Sequence, residues 1–348
     1  MTSSPPTKPP RTMPRSPPLS GRRFFDEYVL VAPGSDYGRA MWNDLARLDH
    51  STVLDGPLRP TGKALSFLHH LHFSFAINKK CRLPGQSLWK PFYSLEGLEF
   101  DPRKKYCVVF TDVSAARTDC RYLAELNRRG NVTLVLVMVN TMSRRGRLIE
   151  DRKHCFSRIF SFDPQDCGRH GFIFHPFIYS SSGWEPSREP STDAFFVGVS
   201  KGRAAKIAEV YSRLVAQGAC AEFFVARMEC FAPRRKGIHY GQWLSYDQNL
   251  EKIRDANCIV EIMDGRQEGI TLRTMEAICF NKKLLTNNQA MKDSEYYKTG
   301  FIQVFEDPSD IDVDFVKKRE PVDYRYGGEF SPVHLLEHID RVFAEKTT

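Results

Sequence analysis

Short apolar runs alternate with amphipathic stretches along most of the chain. Tyr28–Ala32 is a β-prone run that ends in Pro33-Gly34-Ser35, and Gly38–Leu48 reads as a helix. Tyr106–Thr111 is a second strand, followed by a helical stretch over 117–129 that stops near Gly130. Asn131–Val139 is almost unbroken in β-branched and Leu residues, the pattern of a strand buried on both faces. Ser157–Phe162 is another short strand. Asp163 as a cap, with Pro164 at the first helical position, starts a short helix. Gly171–Phe177 returns to extended chain. Residues 51–100 show no clear period.

The composition then changes. Residues 180–193 read SSSGWEPSREPSTD, and such a Ser-, Pro- and Gly-rich stretch reads as a linker. Beyond it the alternation restarts. Ala194–Gly198, Ala221–Ala226, Cys258–Met263 and Lys283–Thr286 read as strands. Arg203–Gln217 is a helix with Ile207, Val210, Tyr211, Leu214 and Val215 on one stripe. Tyr246–Ala256 and Gly269–Phe280 are further helices, and Ser331–Ala344 is the last, apolar along Leu335, Leu336, Ile339 and Phe343. Two successive βα-alternating halves predict an α/β protein of two doubly wound, Rossmann-like domains. The expected boundaries are a tail over 1–23, a first domain over 24–180, a linker over 181–193, a second domain over 194–330 and a C-terminal helix over 331–348. In such sheets ligands sit at the carboxyl ends of the strands, so a cleft between the halves is the expected site.

Charge and composition narrow this. The 348 residues carry a formal net charge of +8. Lys8, Arg11, Arg15, Arg22 and Arg23 come before any acid, and seven of the 21 prolines fall in the first 20 residues. Such a segment cannot bury enough apolar surface to order itself, so a disordered basic tail is expected and the rest is only mildly basic. The longest apolar stretch, around Val132–Val139, is far short of the ~20 residues a membrane helix needs, which excludes an integral α-helical membrane protein. No apolar region follows the basic N-terminus as in a secretory signal, so a cytoplasmic location is expected. Nine cysteines without a C-x-x-C pair read as reduced, buried thiols. His69, His70 and His72 lack a fourth ligand at a defined spacing and read as core or surface histidines. The folded region has no aromatic-basic interleaving, so no nucleic-acid partner is expected.

The richest stretch is Gln267–Asn288, QEGITLRTMEAICFNKKLLTNN, which follows the strand CIVEIM and a polar loop. Glu268 and Glu276 are eight apart, and Gly269 lies at the strand-to-helix turn, where a backbone without Cβ lets a ligand come close. A helix beginning near Thr271 would turn free N–H groups toward the cleft, an anion site suited to a diphosphate. Two carboxylates so placed can accept hydrogen bonds from vicinal hydroxyls of a sugar and of a ribose.

This context resembles the donor-binding signature of GT-B glycosyltransferases, especially the retaining group with a Glu-x7-Glu pattern. The resemblance implies that Glu268 contacts the donor sugar and Glu276 the nucleotide ribose. Asn281 stands where that group usually has Gly after the helix, a mild departure because Asn also tolerates the left-handed cap. FFVGVSKGRAAKIAEV over 195–210 is similar to the first βα unit of the donor domain. There Gly198, Lys201 and Arg203 would approach the diphosphate, although the spacing of the basic pair departs from the commonest pattern. RIFSFDPQDCGRHGF, LSYDQNLEKIRDANCIVEIM and ITLRTMEA also resemble bacterial lipopolysaccharide and capsule biosynthesis proteins, some of them CgeB-like. That likeness, over roughly 155–305, adds Thr271 and Arg273 as phosphate or sugar contacts.

On the acceptor side, Gly34 in its turn, Asp112 after the strand YCVVFT and Asn140 after VTLVLVMV sit where active sites collect. No convincing catalytic base is visible, which suits a retaining enzyme that works by positioning and by stabilising the departing diphosphate. Asp310-Ile311-Asp312 and Asp312-Val313-Asp314 lie in a late acidic loop and read as solvated. The expectation is a metal-independent glycosyltransferase without a cofactor. It would take a nucleotide-sugar donor and a glycan or lipid-linked acceptor, with peripheral contact at the inner face of the membrane. The alternative is a non-catalytic nucleotide- or glycan-binding scaffold of the same fold.

Overall fold

The computed structural model describes residues 23–78, 83–181, 189–229, 232, 234–263 and 270–345. The expected disordered tail, most of the expected linker, and Glu268 and Gly269 lie outside the described residues.

Two parallel six-stranded sheets form the frame. The first holds β1 (Glu27–Val31), β2 (Ser51–Leu54), β3 (Tyr106–Thr111), β4 (Val132–Val137), β5 (Arg158–Ser161) and β6 (Ile173–Phe174), in the order β2-β1-β3-β4-β5-β6. The second holds β7 (Thr192–Gly198), β8 (Ala221–Val225), β9 (His239–Tyr240), β10 (Ala256–Glu261), β11 (Lys283–Thr286) and β12 (Ile302–Val304), in the order β12-β11-β10-β7-β8-β9. Counted within its own sheet, the second order is 3-2-1-4-5-6, the dinucleotide-fold arrangement, and it reverses direction between β7 and β10. The first sheet reverses between β1 and β3.

Burial explains the sequence pattern. Every residue of β3 and β10 is buried, so these strands read as continuous apolar runs rather than alternating ones. Val108, Phe110, Leu134 and Leu136 face one apolar cluster, while Cys107, Val109, Val135 and Val137 face another on the opposite side. The helix Pro332–Ala344 completes that second cluster with Val333, Leu335, Leu336 and Ile339. The end of the chain thus covers the first sheet. Asp340 anchors it there, accepting from the amides of Phe24 at 3.1 Å and Phe25 at 3.3 Å and from the Tyr28 hydroxyl.

Several expected elements differ. The Gly38–Leu48 helix is a short helix Asp36–Ala40 followed by a 3-10 turn Asn43–Arg47. It starts early because the Ser35 hydroxyl accepts from the Gly38 amide at 3.1 Å. The helix expected over 117–129 is confined to Cys120–Asn127, capped by Asp119, and an unexpected short helix, Asp112–Ala116, capped by Thr111, precedes it. In Gly171–Phe177 only Ile173–Phe174 pairs as a strand. Val215 is exposed rather than part of the buried stripe, and Cys220 is an exposed thiol. Among the described residues no helix is long and apolar enough to cross a membrane.

Candidate functional site

The switch point of the second sheet is bounded by the ends of β7 and β10. Beyond Gly198 the loop Val199–Gly202 turns tightly, with Lys201 at φ +46° and Gly202 at φ +82°, both left-handed. Glu229 holds this loop, accepting from the Ser200 hydroxyl at 2.5 Å and from the Gly202 amide at 2.7 Å. Arg203 precedes the helix Ala204–Ala216 and turns inward. Its guanidinium donates to the carbonyls of Ser200 at 3.1 Å, Val199 at 3.0 Å and Ile262. It therefore braces the end of β7 against the end of β10. Lys201 stays exposed on the loop.

The helix Leu272–Cys279 follows the strand end across this point. Thr271 caps it, accepting from the Arg273 amide at 3.1 Å. The Thr271 hydroxyl in turn donates to Glu261, the last residue of β10. Glu261 is buried and also accepts from Thr274 at 3.1 Å and Thr286 at 2.5 Å. One carboxylate thus ties the helix start to β10 and β11 through three hydroxyls. Sequence reading did not single it out. An acid closing an otherwise apolar strand at the switch point was the available signal.

One turn further along, Glu276 is 0 % exposed. Its carboxylate accepts from Asn249 Nδ2 at 3.1 Å and from the Arg273 guanidinium, which also donates to Asn249 Oδ1 at 3.0 Å. Burial pushes the Glu276 carboxyl up to about 7, outweighing the neighbouring guanidinium and hydrogen bonds. Three tyrosines surround it. The Tyr179 and Tyr246 hydroxyls lie 2.6 Å apart, and the rings of Tyr37 and Tyr246 meet edge to face at 5.3 Å. Burial and the Glu276 charge raise all three phenols above their usual range. Tyr37, three residues beyond Gly34, and Tyr179, at the end of the span 24–180, both bring first-domain side chains to the surroundings of Glu276.

In the first domain Gly34 takes φ +75°, a left-handed turn that favours glycine, and lies beside Asp55 and Gly56 at the exit of β2. Asp112 and Asn140 meet at the ends of β3 and β4. The Asp112 carboxylate accepts from the Val139 amide at 2.8 Å and from Asn140 Nδ2 at 2.9 Å. Two of the three histidines are built into the fold, while His70 is exposed. His69 is buried against Phe73 and Trp89, and burial lowers its pKa to about 4. His72 accepts from the Trp89 indole at Nδ1, 2.9 Å, which leaves Nε2 to donate to the Pro84 carbonyl at 2.8 Å. Among the described residues no group of three or more His, Cys, Asp or Glu is placed to hold a metal ion.

Of the residues expected in the site, the fold brings Arg273 and Glu276 together, and separately Asp112 and Asn140. Asn249, Tyr37, Tyr179 and Tyr246 complete the first group and were not expected. No family model matches the chain, and no curated protein matches it. Among solved structures it is similar to the glycosylation-associated protein (Gap123) complex from Streptococcus agalactiae, at 9% identity and TM-score 0.38, with 75% of this chain aligned. The chain spans about half of that chain's length, 54%. It is also similar to the glycotransferase of kitacinnamycin, at 9% identity and TM-score 0.43, covering 90% of this chain and 97% of the other. UDP-GlcNAc 2-epimerase from Methanocaldococcus jannaschii aligns over 92% of this chain and 99% of its own, at 9% identity and TM-score 0.45. At such scores these likenesses decide nothing about the chemistry.

Proposed function

We propose that this chain is a GT-B glycosyltransferase that takes a nucleotide-sugar donor at the switch point of its second domain. The sugar would pass to a cell-surface polysaccharide or lipid-linked glycan on the first domain, near Gly34, Asp112 and Asn140. The observation that carries the reading is the Arg273–Glu276 pair, set on a helix that starts at the switch point, beside Tyr246, whose ring meets Tyr37 of the first domain. The amide end of that helix, with Lys201, Arg203 and Arg273 nearby, would offset charge on the departing diphosphate. Glu276 would accept from ribose hydroxyls and Glu268 from the sugar. Retention of configuration and independence of metal rest on the resemblance to the retaining group, and a place in bacterial lipopolysaccharide or capsule synthesis rests on the separate resemblance to the bacterial surface-polysaccharide proteins. Because Glu276 has no exposed surface, a ribose can reach it only when Tyr37 and Tyr246 part. Donor binding and separation of the two domains are then one event.

A second reading is favoured by the same burial. With Glu276 sealed and Arg203 engaged by three carbonyls, the fold could hold a nucleotide or glycan without turnover. Calorimetry of the full chain against nucleoside diphosphates and nucleotide sugars separates the cases. Glycosyl transfer is supported by binding that Lys201→Ala weakens and Glu276→Ala abolishes, with donor hydrolysis or transfer. Tight binding without turnover on any donor and acceptor selects the scaffold. No binding of any nucleotide by a chain that melts cooperatively removes both.

A further inference from the structure

Two thiols of the first domain meet at one junction. Cys120 opens the helix Cys120–Asn127, and Cys155 closes the 3-10 turn Lys153–Cys155 that follows the helix Met142–Glu150. The Cys155 Sγ lies 3.8 Å from the Cys120 carbonyl oxygen, and the Cys120 Sγ lies 3.8 Å from the carbonyl oxygen of Asp151. Each sulfur thus rests on the backbone of the other's segment. The Arg152 guanidinium adds a further contact between the segments, donating to the Thr118 carbonyl at 3.4 Å. Cys155 is buried in the apolar cluster under β3 and β4, whereas Cys120 is only half-buried and meets water. Cys107, Cys258 and Cys279 each lie in a different cluster.

A thiol that meets water beside one that does not is the arrangement in which an oxidant reaches the first and the second resolves it. We propose that Cys120 and Cys155 are a peroxide-responsive pair, which rotation of the two side chains closes reversibly to a disulfide in the folded chain. The Cys120 thiolate attacks one oxygen of hydrogen peroxide, the O–O bond breaks and hydroxide leaves. The Cys155 thiolate attacks the sulfenic sulfur so formed, the S–O bond breaks and a second hydroxide leaves. The two thiol protons turn both hydroxides into water, so two thiols give two electrons to one peroxide. Burial holds the Cys155 thiol above its usual range against the nearby Arg152 guanidinium, so the second step quickens as the pH rises. The bond would join the chain leaving β3, which carries Asp112, to the chain leaving β4, which carries Asn140. It fastens one rim of the first domain and does not depend on the donor site.

The test treats the full, folded chain with hydrogen peroxide above neutral pH, then unfolds it, alkylates the remaining thiols and maps the peptides by mass spectrometry. A Cys120 peptide linked to a Cys155 peptide is expected, and dithiothreitol separates them. Cys155→Ser leaves the Cys120 sulfenic acid unresolved, so dimedone added with the peroxide labels Cys120 about fivefold or more above the wild type. Cys155→Ala repeats this result where a buried hydroxyl unsettles the fold. Cys120→Ser abolishes the link, and Cys220→Ser, at an exposed thiol of the second domain, leaves it unchanged. A cooperatively melting chain whose Cys155 is still fully alkylated after peroxide overturns the proposal. So does equal dimedone labelling of the wild type and Cys155→Ser, or a Cys120 linked to a different cysteine.

Discussion

Glu276 is held in the fold at a cost that its partners offset only in part. Its carboxyl is raised from 4.5 to about 7, so the folded chain keeps a proton over a pH range in which the unfolded chain has released it. The corresponding stability is complete below about 4.5 and is lost as the pH climbs through about 7. Glu276→Gln keeps the shape and removes the titration. Between about pH 5 and pH 8 the wild type is expected to lose on the order of 2 kcal/mol relative to the variant. Parallel curves of melting temperature against pH would refute this. His69, lowered from 6.5 to about 4, and His175, lowered to about 3 by burial, act in the opposite direction as the pH falls below about 6.5, but equally in both proteins, so they cancel from the difference. Arg203 gives a second test at this scale. Replacing it by Ala strands three carbonyls at the strand ends and is expected to cost about 2 kcal/mol in urea unfolding. Arg203→Lys should recover little, because a compact ammonium does not span carbonyls on two strand ends as the planar guanidinium does. The sequence located both residues at the switch point and offered them as ligand contacts. It could not tell which way either side chain turns, because an Arg shortly after a strand looks the same whether it faces a ligand or a carbonyl.

Elements were more legible than side chains, and for a physical reason. β3, β4, β10 and β11 lie inside sheets covered on both faces, so their composition is uniform and their limits stand out. Helix starts were readable where a cap announces them. Ser245 before Tyr246–Asp255 and Asp163 before Pro164–His170 both accept from amides inside the first turn. The 51–100 region was opaque because β2 is a half-buried edge strand and the Lys63–His72 helix puts apolar groups toward water. β9 and β12 are two and three residues long, too short to carry a period. The junction of β10, β11 and the helix Leu272–Cys279 shows how elements are fastened to one another. Glu261→Ala leaves Thr271, Thr274 and Thr286 without their shared acceptor and is expected to destabilise by about 3 kcal/mol. Glu261→Gln, which keeps one acceptor oxygen, should cost about half as much. If the switch point binds a nucleotide, the Ala variant should also weaken it, since the helix start loses its placement. Equal melting temperatures for the wild type and Glu261→Ala would show that the carboxylate fastens nothing.

At the scale of the molecule, the chain closes on itself. The last helix was visible in the sequence as an amphipathic stripe, but its destination was not. A contact between Phe24 and Asp340 leaves no local trace in either segment. The fold uses that contact to finish the first sheet with residues that follow the second. Val333, Leu335, Leu336 and Ile339 are all essentially buried against β1, β3 and β4. At about 1.5–3 kcal/mol for each large apolar side chain, their removal is comparable with the whole stability margin of an ordinary domain. A chain ending before Pro332 should therefore lose its first domain selectively. In hydrogen exchange the amides of β1, β3 and β4 are expected to lose protection, while those of β7, β10 and β11 keep it. Leu336→Ala, a milder cut in the same contact, should lower stability by about 2–5 kcal/mol without dividing the molecule in this way. Unchanged protection of β1 and β3 in the shortened chain would mean that the first sheet stands without its distant helix. The two domains would then be independent units joined in series rather than one closed structure.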